Sequence, residues 1–517
     1  MKEKTAMFDS RKRWFGILLL ALVAAFAIAA CGGDDDGGST EPAPAAPAEE
    51  PAPAEEPAPA EEPAPAEEPA PAEEPAPAEE PAPAEEPAAA EGCQLEGIDD
   101  DSIDVFAAAD IETAVLGQNI SPAAHGRMSQ LWLDKTNDEE GGILGCQVNF
   151  TVEDDAFDIE TCVRLYRDAI ASQEYDFFIG PTNSGCMASL PSLTDAAGKW
   201  IFTGIAADHQ PYFDPAWSDL NNQYVAHPSV STLLEGRTNA IRFSEIGCKR
   251  VATIVPNYAY GQDVANGFKD YFPQLVPDGE IVNEQFPEFD EDQFTPFFNA
   301  MLAENPDCIM SAFFSAGIAP FMIQWDATGE AENISVIGGL GSLDTFAAIQ
   351  ATDEIPPNFL AYARGDSGLL VGNPVAAEFI DRWVAAYGEE FPIPDQFTFQ
   401  LLSTWQMAKT VMEETGTIDP EAWRALIETG TFGFDGPYNP GLTYVNPTNH
   451  MADTCASTGL LQNDTSVPPY NASYDPATFV LGCMRDVLPP DEAVALTAND
   501  RVDSATLQAH YDLANAG

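Results

Sequence analysis

The sequence predicts an α/β fold of two lobes, each a parallel sheet flanked by helices, joined by hinge crossovers. Three observations lead there. Between Asp154 and Leu190, apolar residues at Cys162, Val163, Leu165, Tyr166 and Ile170 have helical spacing, which predicts a helix over 157–172. An unbroken apolar run, Phe177 to Ile179, then precedes Gly180-Pro181, a polar turn and a second helical pattern, the signature of a buried parallel strand between helices. The same alternation restarts after Tyr224-Val225-Ala226-His227-Pro228, and the 425 residues from Cys93 onward exceed one ordinary core.

The first-lobe elements follow in order. Ile103 to Ala109 reads as a strand, and a helix begins near Ser121 with Pro122 in its first turn. Gly141-Gly142 ends that connection, Val148 to Val152 is the second strand, Phe177 to Ile179 the third, and Trp200 to Thr203 the fourth. The second lobe repeats the plan: strands over 251–256, 280–286, 308–314 and 334–338 alternate with helices from about 260, at 291–304 and at 318–327. A strand near Phe359 to Ala363 leads back to helices at 374–387, 396–415 and 420–429, and a Pro/Gly/Asn-rich stretch closes the chain. A chain that visits two lobes and returns needs several crossovers, and therefore a cleft with a hinge.

Residues 1–30 read as an export signal. Lys2, Lys4, Arg11, Lys12 and Arg13 precede an apolar run from Trp14 to Ala30, and Ile28-Ala29-Ala30-Cys31 resembles a bacterial lipobox, in which the cysteine is acylated. Residues 31–92 read as a disordered acidic stalk, in which a like-charged Glu-Glu-Pro-Ala-Pro-Ala repeat without core-forming residues runs from Glu41 to Glu91. At about 3.1 Å per residue of extended proline-rich chain, it spans up to roughly 150 Å. The expected location is extracytoplasmic, lipid-anchored to the cell membrane.

Charge excludes some partners. Residues 93–517 hold 16 Lys+Arg against 63 Asp+Glu, a net of −47, which repels nucleic acid and anionic lipid and suits a salty surrounding. Eight cysteines besides Cys31 favour disulfides in an exported protein. Sequence alone does not fix their connectivity; position suggests Cys93 with Cys146, Cys162 with Cys186, Cys248 with Cys308 and Cys455 with Cys483. No metal is expected, since neither the cysteines nor His125, His209, His227, His450 and His510 have ligand spacing. No cofactor fingerprint appears.

The order of Asp154-Asp155, Phe178-Ile179-Gly180-Pro181 with Ser184, Tyr260-Gly261 and Phe434-Asp435-Gly436-Pro437 resembles the type 1 periplasmic binding proteins, specifically the leucine/isoleucine/valine-binding family that feeds ABC importers. The resemblance runs from about Ser102 to Asp486. It implies that Ser184, beside Asn183 and with nearby backbone N–H groups, holds a ligand carboxylate, and that Ala206 and Ala207 line the first lobe's side of the cleft. It places Tyr260 over the ligand from the second lobe, with Phe314 as a further aromatic, and puts Leu116 where many members have a tyrosine. Members that bind α-amino acids carry a Glu after the strand at 334–338, where this chain has Gly339-Leu340-Gly341. A buried ammonium without a carboxylate is costly. Either Asp208 supplies that charge from the opposite lobe, or the ligand is an amide, an organic acid or an aromatic compound.

Enzyme readings rest on less. Gly365-Asp366-Ser367-Gly368 and Ala123-Ala124-His125 imitate serine-protease segments, but that family is all β. The expected organisation is a signal peptide at 1–30, a stalk at 31–92, a first lobe from 93–227 and 364–433, a second from 228–363 and 434–488, and a tail at 489–517. The expected role is that of a monomeric, non-enzymatic binding protein passing a small polar ligand, an amino acid or a related amide or organic acid, to ABC permease subunits. A sensing receptor of the same fold and a cell-wall adhesive protein are the rivals.

Overall fold

The computed structural model describes residues 92–206, 223–314, 317–340, 355–364, 373–391, 394–438, 442–447, 449–463, 472–474 and 480–483. Cys31, the stalk repeat and the 489–517 tail lie outside them.

The first sheet is entirely parallel. Its strands are β1 (Ser102–Ala109), β2 (Gln147–Asp154), β3 (Phe177–Ile179), β4 (Ile201–Phe202) and β5 (Val225–Ala226), in the order β2-β1-β3-β4-β5. Between β1 and β2 runs α1, three joined helical stretches at Pro122–Met128, Ser129–Leu133 and Asp134–Glu139, the outer two wound as π-helix. The turn after it needs glycine: Gly142 has φ +89°, and a Cβ there would lie 2.2 Å from the Cys146 carbonyl oxygen. α2 (Ile159–Ser172) starts where the Asp158 carboxylate accepts the Thr161 N–H, and turns Cys162, Val163, Leu165 and Tyr166 toward the sheet. α3 (Ser184–Met187) and α4 (Pro191–Ala197) complete this face.

The second sheet repeats the plan. α5 (Thr232–Glu245) leads to β6 (Arg250–Ile254), α6 (Ala259–Leu275), β7 (Glu280–Gln285), α7 (Thr295–Leu302), β8 (Cys308–Phe313), α8 (Ile318–Asp326), β9 (Ser335–Leu340) and β10 (Phe359–Arg364). Read from its far edge the order is β7-β6-β8-β9-β10, the same arrangement as in the first lobe. α5 and α6 pack closely because both present glycine: a Cβ on Gly236 would meet Val264 O at 2.2 Å, and one on Gly267 would meet Leu233 O at 2.7 Å. α9 (Pro374–Tyr387), α10 (Gln396–Thr415) and α11 (Pro420–Ile427) return to the first lobe, where Trp405 stacks on Trp132 at 4.5 Å and donates its indole N–H to Ser129 Oγ.

The closing stretch holds more structure than its composition predicts. β11 (Gly433–Phe434) and β12 (Thr443–Tyr444) form a small hairpin, and β13 (Cys455–Asn463) enters the second sheet antiparallel to β10. β14 (Ala472–Tyr474) and β15 (Val480–Cys483) pair with β13 in turn, so that sheet is mixed rather than purely parallel. Pro, Gly and Asn lower local strand propensity here; pairing with β10, already fixed in the sheet, supplies what propensity lacks. The chain crosses between the sheets after β5, after β10 and between Ala452 and β13. The first and third crossings are tied side by side, His227 N–H donating to His450 O and Ala452 N–H to His227 O.

Three disulfides join Cys93 to Cys146, Cys162 to Cys186 and Cys248 to Cys308, as their positions predict. Each closes a loop of tens of residues and contributes about 3–4 kcal/mol in the chain-entropy account. Cys455 and Cys483 stand opposite one another in the β13–β15 register. Cys248, Cys308 and Asp307 form the one metal-like grouping among the described residues, but both sulfurs are spent in the disulfide.

Candidate functional site

In an open parallel sheet a ligand sits beyond the carboxyl ends of the strands, where neighbouring connections run in opposite directions. In the first sheet that point lies between β1 and β3, and in the second between β6 and β8. Thr182 and Ser184 follow β3, Tyr258 and Tyr260 follow β6, and Phe314 follows β8. All five line one cavity of about 10 Å³, with Ile120, Ile205 and Phe397 completing its wall. That volume is on the scale of one water. Admitting even a small organic molecule therefore requires the lobes to part or the aromatic rings to swing aside.

The walls are aromatic. Tyr260 meets Phe314 edge-on at 5.3 Å, Phe314 lies 5.4 Å from Phe289 and 6.3 Å from Phe397, and Tyr258 lies 5.7 Å from Tyr260. Tyr260 and Tyr362 share a hydrogen bond between their hydroxyls, which fixes the Tyr260 ring against the second sheet. Phe314 is both core and wall, being 6 % exposed while facing the cavity.

The polar groups come from the first lobe. Asn183 caps α3: its Oδ1 accepts the N–H groups of Gly185 at 2.9 Å and Cys186 at 3.3 Å, and its Nδ2 donates to the Phe157 carbonyl at 3.0 Å. Ser184 therefore is not the cap. Its hydroxyl makes no hydrogen bond among the described residues and lines the cavity. The Ala206 N–H donates to Pro181 O, and Ile205 rather than Ala206 reaches the wall. Leu116 is buried behind the site, its N–H donating to Asp110. Ala207 and Asp208 lie outside the described residues, as does Gly341, and Leu340 is described only as part of β9.

Two buried carboxyls stand behind the first-lobe wall. Asp110 accepts hydrogen bonds from the Leu116 N–H and the Ser121 hydroxyl, while burial pushes its carboxyl upward. Asp155 accepts the Phe157 N–H at 2.8 Å through Oδ1, and its Oδ2 has no partner among the described residues. Burial, with Asp110, Asp154 and Asp158 nearby, raises it to about 7. Ala156 and Phe157, at φ 52° and 58°, form a strained turn that Asp155 and Asn183 hold from either side. Phe157 thereby meets Tyr258 and Phe289 of the second lobe, at 6.3 and 5.6 Å.

His125 is fully buried and donates from Nε2 to Gly180 O at 3.1 Å; burial lowers it to about 4, so it is a neutral packing group. The Gly365–Gly368 segment lies outside the described residues.

Thr182, Ile120, Ile205, Tyr258 and Phe397 were not among the residues singled out from the sequence. Thr182 shares the polar turn with Ser184, and Tyr258 stands two residues before Tyr260. Phe397 reaches the cavity only through the return crossing, which no local pattern shows.

The paired sheets and a shared cavity at two switch points define a two-lobed ligand-binding protein. The chain belongs to the periplasmic binding protein family, whose model matches residues 122–464. It is thus an extracytoplasmic binding protein and not an enzyme, and no helix among the described residues is long and apolar enough to cross a membrane. No curated protein matches it. Among solved structures, it is similar to an ABC-transporter solute-binding protein from R. palustris in complex with benzoate (20 % identity, 69 % of this chain and 92 % of that one, TM-score 0.56). An amino acid ABC transporter substrate-binding protein from Pseudomonas fluorescens is 18 % identical over 76 % of this chain and 98 % of its own, with TM-score 0.60. A leucine-binding protein from Thermotoga maritima is 16 % identical over 72 % and 97 %, with TM-score 0.57.

Proposed function

We propose that this protein captures a small carboxylic acid with an aromatic or bulky apolar body between its lobes and delivers it to an ABC importer, held outside the membrane by acylated Cys31 and the acidic stalk. The observation that carries the reading is the unpaired Ser184 hydroxyl facing the ring cluster of Tyr258, Tyr260, Phe314 and Phe397 in one cavity. Ser184 donates to the carboxylate, and the rings cover the body, each buried face contributing through the apolar area it removes from water.

An organic acid fits better than an α-amino acid, because no described residue lining the cavity is charged. An ammonium group buried there would lack a direct counter-charge unless Asp208 reaches it. The solved structures of like fold include proteins bound to benzoate and to hydroxybenzoates, which supports the aromatic class.

The test is a thermal-shift screen of benzoate-type acids, their methyl esters, branched and aromatic amino acids, and amides. Binding raises stability by about 2.7 kcal/mol at a hundredfold excess over Kd. The reading predicts shifts with the acids and none with the esters; shifts confined to amino acids would replace the organic acid with an α-amino acid.

A further inference from the structure

Behind the cavity wall, three buried groups form a chain. Thr182 lines the cavity, and its Oγ1 lies 2.7 Å from Ser121 Oγ. Ser121 Oγ is bonded to Asp110 Oδ1, while Asp110 Oδ2 accepts the Leu116 N–H at 3.0 Å. Asp110 and Ser121 are completely buried and Thr182 is 8 % exposed.

Each hydroxyl has one proton to give, and an ionised carboxylate can only accept. Ser121 therefore spends its proton on Asp110 and has none for Thr182. The 2.7 Å contact then requires Thr182 to donate to Ser121. With its proton turned inward, Thr182 shows the cavity only lone pairs.

We propose that the Asp110–Ser121–Thr182 relay makes Thr182 a hydrogen-bond acceptor in the ligand cavity, and so selects carboxylic acids that also carry a hydroxyl or amino donor over those that lack one. The inference rests on the carboxylate reading of the cleft. It adds a second polar contact, of opposite sense to that of Ser184: one residue donates to the ligand and the other accepts from it. A ligand with only an ether oxygen facing Thr182 would set two acceptors against each other in a buried site, which costs more than the missing bond alone.

The sense of the relay is set at its buried end. In Asp110→Asn the amide oxygen keeps the Leu116 N–H and the amide N–H donates to Ser121. Ser121 must then donate to Thr182, which frees the Thr182 proton for the cavity. This substitution reverses the relay without changing its shape. Because burial and the neighbouring Asp154 raise Asp110, the measurements belong at pH 8.

The experiment measures dissociation constants by calorimetry for benzoate, the three ring isomers of hydroxybenzoate and the matching methoxybenzoates, on the full chain. The wild type should bind at least one hydroxybenzoate about tenfold tighter than its methoxy partner. Thr182→Val should bring that ratio close to one, and Asp110→Asn should shrink it, because Thr182 then donates to a methoxy oxygen as readily as to a hydroxyl. Ser121→Ala, which frees the Thr182 proton without altering the charge of Asp110, should also shrink it and serves if the Asp110 variant does not fold. A part that merely props the loop would weaken all ligands alike and leave the ratio unmoved. If benzoate binds but Thr182→Val preserves the hydroxy-to-methoxy ratio, or the wild type shows none above twofold, the relay is overturned alone. If the wild type binds none of these acids, the carboxylate reading falls first and takes the relay with it.

Discussion

Asn183 reaches across its own turn to hold Phe157, its Nδ2 lying 3.0 Å from the Phe157 carbonyl oxygen. Because its Oδ1 also caps α3 by accepting the Gly185 and Cys186 N–H groups, one side chain fixes both the turn that carries Ser184 and the first-lobe ring that touches Tyr258 and Phe289. Asn183→Ala should lower stability by about 1–2 kcal/mol, as a lost cap and a lost hydrogen bond. It should also weaken ligand binding, since Ser184 and Phe157 lose their common support. A urea midpoint and a calorimetric titration on the same variant check both.

Asp155 should leave a signature in pH. Its folded value of about 7 lies above the ordinary 3.8, so the folded protein holds a proton that the unfolded chain has released. Stability from this group is complete below about pH 4 and is lost as pH rises through 7. The loss is at most about 4 kcal/mol. Asp155→Asn should flatten that slope between pH 4 and 8 and make the protein more stable than the wild type above pH 7. Parallel slopes for the two proteins would show that Asp155 is ionised throughout.

The fourth cysteine pair completes a pattern. Cys455 and Cys483 are partners in the β13–β15 register, and a bridge between them is the expected outcome. Thiol labelling of denatured, unreduced protein should find none of the eight cysteines after Cys31 free. Two free thiols at 455 and 483 would leave β15 held by hydrogen bonds alone.

Much of this fold is legible in the sequence because its elements agree with their own local patterns. Phe177 to Ile179 is a strand where the apolar run lies, and the helices at Pro374–Tyr387 and Gln396–Thr415 match their hydrophobic periods. β13 is hidden, since Cys455 to Asn463 mixes small and polar residues and becomes a strand only by pairing with β10. The site divides in the same way. Ser184 and Tyr260 sit in turns with a recognisable order, whereas Phe397 arrives from some two hundred residues downstream. The Asp110–Ser121–Thr182 relay joins three segments that only the packed sheet brings together.

Salt separates ligand classes. With 16 basic against 63 acidic residues from 93 onward, the chain repels an anion at long range. Affinity for a carboxylic acid should therefore rise roughly two- to tenfold as ionic strength increases, through a faster on-rate. A zwitterionic amino acid should be nearly indifferent. Stopped-flow titrations at low and high salt give the comparison.

If acylated Cys31 is the anchor, as proposed, Cys31→Ser should release the protein from cells into the medium. Retention in the membrane fraction would point to the apolar run from Trp14 to Ala30 as an uncleaved anchor.

The most direct measurement is the affinity of Ser184→Ala and Tyr260→Ala for the acid that most stabilises the wild type. Losing a hydrogen bond to a carboxylate costs about 1.5–3 kcal/mol, so Ser184→Ala should bind about 10- to 150-fold more weakly, and Tyr260→Ala should lose affinity as well. Unchanged affinity in both variants, with the fold intact, would place the ligand elsewhere and contradict the account.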